Sequence, residues 1–405
     1  MIGLLATAVG VAGAGTAPQT PGFDGKTIKV SGLGFATNFA DAAVGAQARF
    51  EKANDTNELK GVKIDFGEFA DDKSDATTSV NEARRLVEQD GVFAIVPMVS
   101  STAPGDYLNL KKVPYFGWGF DKSYCGTGDQ LYGLGFDGCV LPPSPKVVPD
   151  FAAGTAFKYA TDTLDIKHPT IAGIGTDSAS GNTAMQSFIA QATGSGFKVV
   201  WAKHSLPAPP AVVGDYSPYA QQILASNGGK GPDVVWIASG VSDSLGLPKA
   251  LTAAGYQGTI ITSLYADALL KPLAGTYAVA PIAPFEQHSA GTDAMVADIK
   301  AFKPDAKPST TMAVGYFSAD FFIKAVKKAG LEHLTREAVQ NAAAHMTYAI
   351  PNAVGPTQFP RGFQALNTYC AAMVKDADGS AWTVAVPYTC TNHFSKVKGD
   401  TSEVG

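Results

Sequence analysis

The sequence predicts an α/β protein built of two similar units, each a mostly parallel sheet flanked by helices. Its 405 residues, 45% hydrophobic and 17% charged, exceed the ~250 to 300 residues at which a single core stops growing. Short β-rich runs alternate with longer amphipathic runs throughout. Strand, helix, strand in that rhythm requires right-handed crossovers and a sheet covered on both faces. The rhythm breaks at LPPSPKVVP, residues 141–149, and then restarts, which marks an interdomain crossing.

TIKVSGLGF (27–35) reads as a first strand and residues 40–55 as a helix; VKIDFGEF (62–69) is the next strand. Ser74 is the expected N-cap of the following helix and Gly91 its C-terminal stop. VFAIVPMV (92–99) is a buried strand, STAPGDYLNLKK a short helix and VPYFGWGF another strand. After the break come a helix over 150–163, strand TIAGIG (170–175), a helix from Asn182, strand KVVWA (198–202), and a helix ending near Asn227. Strand VVWIA (234–238), a helix to Ala254 and strand TIITS (259–263) complete the second unit. Residues 292–344 read as helical, with TMAVGYFSADFFIKAVKKAG the most amphipathic stretch. Residues 370–390 alternate and turn at 376–379, a hairpin.

The first fifteen residues carry no charge and run into TAPQTPGFDG. They are expected to be the core and cleavage end of a secretory signal, with Ala12-Gly13-Ala14 as the small-residue site, so residues 1–25 form a leader. An exported protein, periplasmic or extracellular, is the expectation. No later run reaches the ~18 to 20 apolar residues of a membrane span. Cysteine usage agrees: there are four, three pairings are possible, and the local couples Cys125 with Cys139 and Cys370 with Cys390 are the expected disulfides. No C-x-x-C or His spacing supports a metal, so metal and cofactor are both expected to be absent.

Lys plus Arg number 31 against 36 Asp plus Glu, a net charge of −5, which lacks the basic footprint of a nucleic-acid binder. With few arginines, an anion is expected to be held by hydroxyls, amides or Lys. Ser100-Ser101-Thr102 sets three hydroxyls at a strand end before Pro104, where helix amides are free to meet an oxygen anion. VFAIVPMVSST and VVWIASGVSDS both run a buried strand into a serine turn, at Ser100 and Ser239. Ligands of open α/β sheets bind beyond such carboxyl ends. Phe35, Trp118 and Tyr265 each follow a strand and could wall an apolar pocket. Gly32-Leu33-Gly34 fails as a dinucleotide fingerprint because Thr37 stands where the third glycine belongs, and the turn after Gly173 and Gly175 lacks the lysine of a phosphate loop. No G-x-S-x-G elbow occurs, and the six histidines share no spacing.

GEFADDKSDATTSVNEARRLVEQDGVFAIVPMVSST resembles the first-lobe stretch of the branched-chain amino-acid type of solute-binding protein, with its acidic turn, N-x-A-x-x-L-V helix and strand ending in serines. DYSPYAQQILASNGGKGPDVVWIASGVSDSLGLPKALTAAGYQG resembles its second-lobe segment. The resemblance implies the type I periplasmic-binding-protein fold, two lobes joined by three crossing segments, with hinge closure on a ligand and delivery to an ABC permease. It implies a monomer, with lobe I over 26–146 plus 285–350 and lobe II over 147–284 plus 351–405. Ser100, Ser101 and Thr102 match the serines that hold a ligand carboxylate; Trp118 falls in the next strand-end segment, and Ser178 and Ser180 in the second-lobe loop over the ligand. Tyr265 lies near the acidic residue that meets an ammonium group, which TSLYADALL lacks; Asp267 is two places late. A buried ammonium without a carboxylate is costly, so the expected ligand is larger, partly apolar or aromatic, with an oxygen anion. A ligand-sensing receptor component of the same fold and a secreted enzyme are the competing readings.

Overall fold

The computed structural model describes residues 20–100, 104–119, 121–139, 152–153, 166–363, 370–390, 394–395 and 401–405. Strands β1 (Thr27–Gly34), β2 (Lys63–Asp71), β3 (Ala94–Val99), β4 (Tyr115–Gly117) and β5 (Gly133–Gly135) form a parallel sheet in the order β2-β1-β3-β4-β5. Every residue of β3 is buried, as a central strand covered on both faces requires.

Later in the chain come β6 (Ala152–Ala153), β7 (Thr170–Thr176), β8 (Lys198–Leu206), β9 (Val234–Ala238), β10 (Thr259–Thr262), β11 (Tyr277–Ala280), β12 (Thr347–Ile350), β13 (Val354–Gln358), β14 (Cys370–Asp376), β15 (Trp382–Cys390) and β16 (Phe394–Ser395). The second sheet runs β15-β14-β11-β10-β9-β7-β8, parallel from β11 to β8, with β14 and β15 added antiparallel. The fold is therefore a two-lobed α/β fold of mostly parallel sheets flanked by helices. The hairpin β12–β13 touches both units: the Thr357 hydroxyl donates to the Phe136 carbonyl, and the Tyr388 hydroxyl to that of Gly355.

The helix Ala36–Asp55 crosses Thr310–Ala329 at backbone contact. A Cβ on Gly45 would stand 1.9 Å from the Met312 carbonyl oxygen, and one on Gly315 1.8 Å from that of Ala42. Beside this crossing the buried Arg49 guanidinium holds Asp320 at 2.9 Å and Glu58 at 2.8 Å. Burial works against its charge, but the Glu58 hydrogen bond and the two carboxylates outweigh it and raise its pKa. Both predicted disulfides are present, Cys125–Cys139 and Cys370–Cys390, the second closing the paired ends of β14 and β15.

Several boundaries differ from expectation. The first helix starts at Ala36, not 40. Ser74 adopts a left-handed φ of 57° and cannot cap; Asp75 does, accepting from the Thr78 amide at 2.7 Å. The helix expected from Asn182 starts at Ala179 because Ser178 caps it through the Gly181 amide. The helix near Asn227 loses helical backbone from Ser226, where Asn227 turns left-handed at φ 54°. Residues 292–344 form three helices, Ala290–Phe302, Thr310–Ala329 and Arg336–Ala344. The Thr20 hydroxyl donates to the Leu334 carbonyl and the Gly22 carbonyl accepts from the Lys29 amide at 2.8 Å, so the leader expected through residue 25 already packs on the folded body from Thr20. Residues 1–19, the break at 141–149, and the helix expected over 150–163 apart from strand β6 lie outside the described residues.

Candidate functional site

The expected ligand residues sort onto the carboxyl edges of the two sheets. On the first, Phe35 follows β1, Ser100 follows β3 and Trp118 follows β4; Ser101 and Thr102 lie outside the described residues. On the second, Ser178 and Ser180 follow β7 and Ser239 follows β9. Tyr265 stands three residues past β10.

Ser100 is buried, and its hydroxyl donates to Asp72 at 2.5 Å while lying 3.0 Å from the Ser79 hydroxyl. Asp72, fully buried at the end of β2, also accepts from the Ser74 amide at 2.8 Å. The Ser100 proton is thus spent inside the first lobe. Phe35 is half-buried and opens the first helix without a side-chain cap; the Ala36 amide goes to Asp71 at 3.0 Å. Trp118 is half-buried against the core. Its flanking glycines serve chain approach and not a ligand: Cβ atoms on Gly117 and Gly119 would stand 2.1 Å and 2.0 Å from the carbonyl oxygens of Met98 and Gly138.

On the second edge, the Thr176 and Ser239 hydroxyls lie 2.8 Å apart. Ser239 donates to Asp243, which also accepts from the Tyr216 hydroxyl at 2.9 Å. Ser239 therefore has its proton committed, and Thr176 donates to it. Ser178 and Ser180 pair at 3.1 Å, with the Ser178 oxygen already accepting from the Gly181 amide. Whichever of the two donates, the pair keeps one hydroxyl proton for an acceptor outside it. Tyr265 is buried away from this edge. Its ring stacks on Phe285 at 4.8 Å and meets Trp382 edge-on at 5.4 Å; its hydroxyl donates to Glu286 and accepts from the Phe285 amide at 2.8 Å.

The two edges approach each other at one pair. Asn38, in the first turn of Ala36–Asp55, lies with its amide nitrogen 2.9 Å from where a Cβ on Gly240 would stand. Gly240 is the N-cap of Val241–Ala253, directly after Ser239. Three of the described arginines serve elsewhere: Arg49 holds Asp320 and Glu58, Arg85 pairs with Glu68, Glu82 and Asp90, and Arg336 donates to the carbonyls of Val92 and Phe93. Among the described residues, no group of three or more His, Cys, Asp or Glu could hold a metal ion.

Sequence reasoning missed Asn38, Asp72, Thr176, Tyr216 and Asp243. Asp243 had a signal, four residues after Ser239 in a first helical turn where a carboxylate suits the dipole. Asn38 had none, because its partner is 202 residues away, from Asn38 to Gly240.

Two α/β units thus meet with their strand-end edges facing each other across paired helix N-termini. The chain belongs to the periplasmic binding protein family, whose sequence pattern matches residues 27–380. That family is extracytoplasmic, and no helix among the described residues is long and apolar enough to cross a membrane. Among solved structures, the chain is similar to a fatty acid ABC transporter substrate-binding protein from Thermomonospora curvata, at 19% identity over 93% of this chain and 95% of that one, TM-score 0.73. A solute-binding protein of an ABC transporter from R. palustris in complex with benzoate shares 16% identity over 91% and 98%, TM-score 0.68. A branched-chain amino acid transporter substrate-binding protein from Streptococcus pneumoniae, in complex with isoleucine, shares 18% over 89% and 100%, TM-score 0.66. No curated protein sequence matches the chain.

Proposed function

We propose that the protein captures a small, partly apolar carboxylate between its lobes outside the cytoplasm and hands it to an ABC importer in the membrane. The approach of Asn38 to Gly240 carries this reading, since it sets the serine-bearing edges of the two sheets opposite each other. In this reading lobe I comprises residues 26–146 plus 285–350 and lobe II residues 147–284 plus 351–405. Phe35 and Trp118 supply apolar wall; the Ser178–Ser180 pair and the segment of Ser101 and Thr102 supply donors. Ser100 and Ser239 hold the edges in shape through Asp72 and Asp243, and Tyr265 ties the second lobe to Phe285 and Glu286 at the start of the 285–350 segment. A solute-binding protein from R. palustris holding benzoate and one from Thermomonospora curvata named for fatty acids support the ligand class; the absence of an acidic residue in TSLYADALL at the place expected for an ammonium partner supports it independently.

Thermal-shift and calorimetric titration of the purified chain with benzoate, octanoate, leucine and valine tests it. Stabilisation by an acid without an amino group is the expected result. Tight binding of leucine or valine alone would overturn it.

A further inference from the structure

Asp137 is a buried carboxyl at the first edge with unused hydrogen-bonding capacity. It follows β5, which pairs with β4 in the register Gly117 to Gly135, so Asp137 and Trp118 leave adjacent strand ends. Its amide donates to the Trp118 carbonyl at 3.2 Å, and the Trp118 indole is close enough to favour its charged form. The residue is 6% exposed, and its Oδ1 is buried with no hydrogen-bond partner among the described residues. It also sits beside the crossing segments, because the carbonyl of its neighbour Phe136 accepts from the Thr357 hydroxyl of the β12–β13 hairpin. Tyr388 on β15 is also tied to the crossing segments, its amide to the Gln287 side chain at 2.6 Å and its hydroxyl to the Gly355 carbonyl at 3.4 Å.

An ionised carboxylate left in this position without a cation would be costly. Burial pushes the Asp137 carboxyl well above the ordinary range; the Trp118 indole opposes that shift, and among the described residues no Lys, Arg or His acts on it. A carboxylic acid kept neutral in an apolar setting is a hydrogen-bond donor, and it can hold a carboxylate without any arginine.

Resting on the reading under Proposed function, we propose that Asp137 is a specificity-determining residue of the cleft: as a neutral acid beside Trp118 at the crossing segments, it donates its O–H to the ligand carboxylate. This selects an acid over an amine, since an ammonium group would find no acceptor poised as an anion there. It also gives the ligand's polar end a partner at the edge where Ser100 has none to offer.

Calorimetry with benzoate and octanoate on the full chain, its Asp137→Asn variant and its Asp137→Ala variant tests this. Asn keeps a donor at the same place, so D137N is expected to bind within threefold of the wild type, and D137A at least tenfold more weakly. Intrinsic tryptophan fluorescence is a second readout: it is expected to shift on ligand addition in the wild type and in D137N, and to shift less in Trp118→Phe. If D137A binds as the wild type does, or D137N loses affinity tenfold while its melting temperature is unchanged, the inference fails. Should D137A not fold, the D137N result alone decides in the same terms. A wild type that binds neither acid removes the functional reading and this one with it, whereas wild-type binding with an indifferent D137A removes this one only.

Discussion

The Asn38 amide nitrogen stands 2.9 Å from the position a Cβ on Gly240 would occupy, so the first helix of one lobe and the helix after β9 of the other meet N-terminus to N-terminus. Gly240 has an ordinary extended backbone, φ −65° and ψ −179°; it is glycine here for room. Gly240→Leu should wedge the edges apart. A poorer N-cap costs about 1 kcal/mol, but affinity for the bound acid should fall at least tenfold, about 1.4 kcal/mol, with a larger radius of gyration in solution scattering. Adding Asn38→Ala should recover part of the loss, because neighbours couple. Unchanged affinity in G240L would refute this account of the edge.

Gly45 and Gly315 offer a test in which the sign decides. Gly to Ala inside a helix ordinarily stabilises by roughly 0.5–1 kcal/mol. Here the new methyl meets a carbonyl oxygen at 1.9 Å or 1.8 Å, and overpacking costs about 1–3 kcal/mol. G45A and G315A should each lower the denaturant midpoint at unchanged slope. A midpoint that rises in either would mean the helices slide apart freely.

What could be read from the chain was whatever is periodic or local. β3 announces itself because a doubly covered strand is apolar at every position, and the couple Cys370 with Cys390 announces the β14–β15 hairpin. Caps were legible only to within a few residues: Ser74 and Asp75 both suit an N-cap by composition, and the left-handed backbone of Ser74 decides between them. The serines were found by their strand-end location, but their duties were hidden. Ser100 looks free in sequence and is spent on Asp72, 28 residues earlier, while Tyr265 follows a strand as Trp118 does and turns inward onto Phe285. Partners at long separation leave no period, and they are what separates a ligand contact from a brace.

Arg49 should be the most sensitive surface-distant charge. It bridges the buried Asp320 and the partly buried Glu58, and removing one member of a buried pair strands the others at a cost of about 3–5 kcal/mol. Arg49→Met, which keeps the aliphatic stem, should show a loss in that range by chemical denaturation, and Arg49→Lys a smaller one because an ammonium cannot bridge both carboxylates with a planar fork. A loss below about 1 kcal/mol in R49M would place the ion pairs among surface contacts.

The burial of Glu286 beside Tyr265 makes stability depend on pH in a direction that can be worked out. Burial raises the Glu286 carboxyl above its ordinary value, the Tyr265 hydroxyl pulling the other way and Asp267 adding to the rise, with His288 opposing it. For an acid whose folded pKa lies above the unfolded one, the contribution to stability is complete below the unfolded pKa and is lost as pH climbs through the folded pKa. Glu286→Gln keeps an oxygen acceptor for Tyr265 and cannot ionise. Its melting temperature, taken relative to the wild type, should therefore become more favourable between pH 4 and pH 7. Tyr265→Phe on its own removes the hydroxyl that favours the charged carboxylate, so it should steepen the wild-type decline over the same interval. Melting curves of the three proteins at pH 4, 5.5 and 7 decide it, and a difference between E286Q and wild type that stays constant with pH would show that Glu286 titrates alike in the folded and unfolded chains.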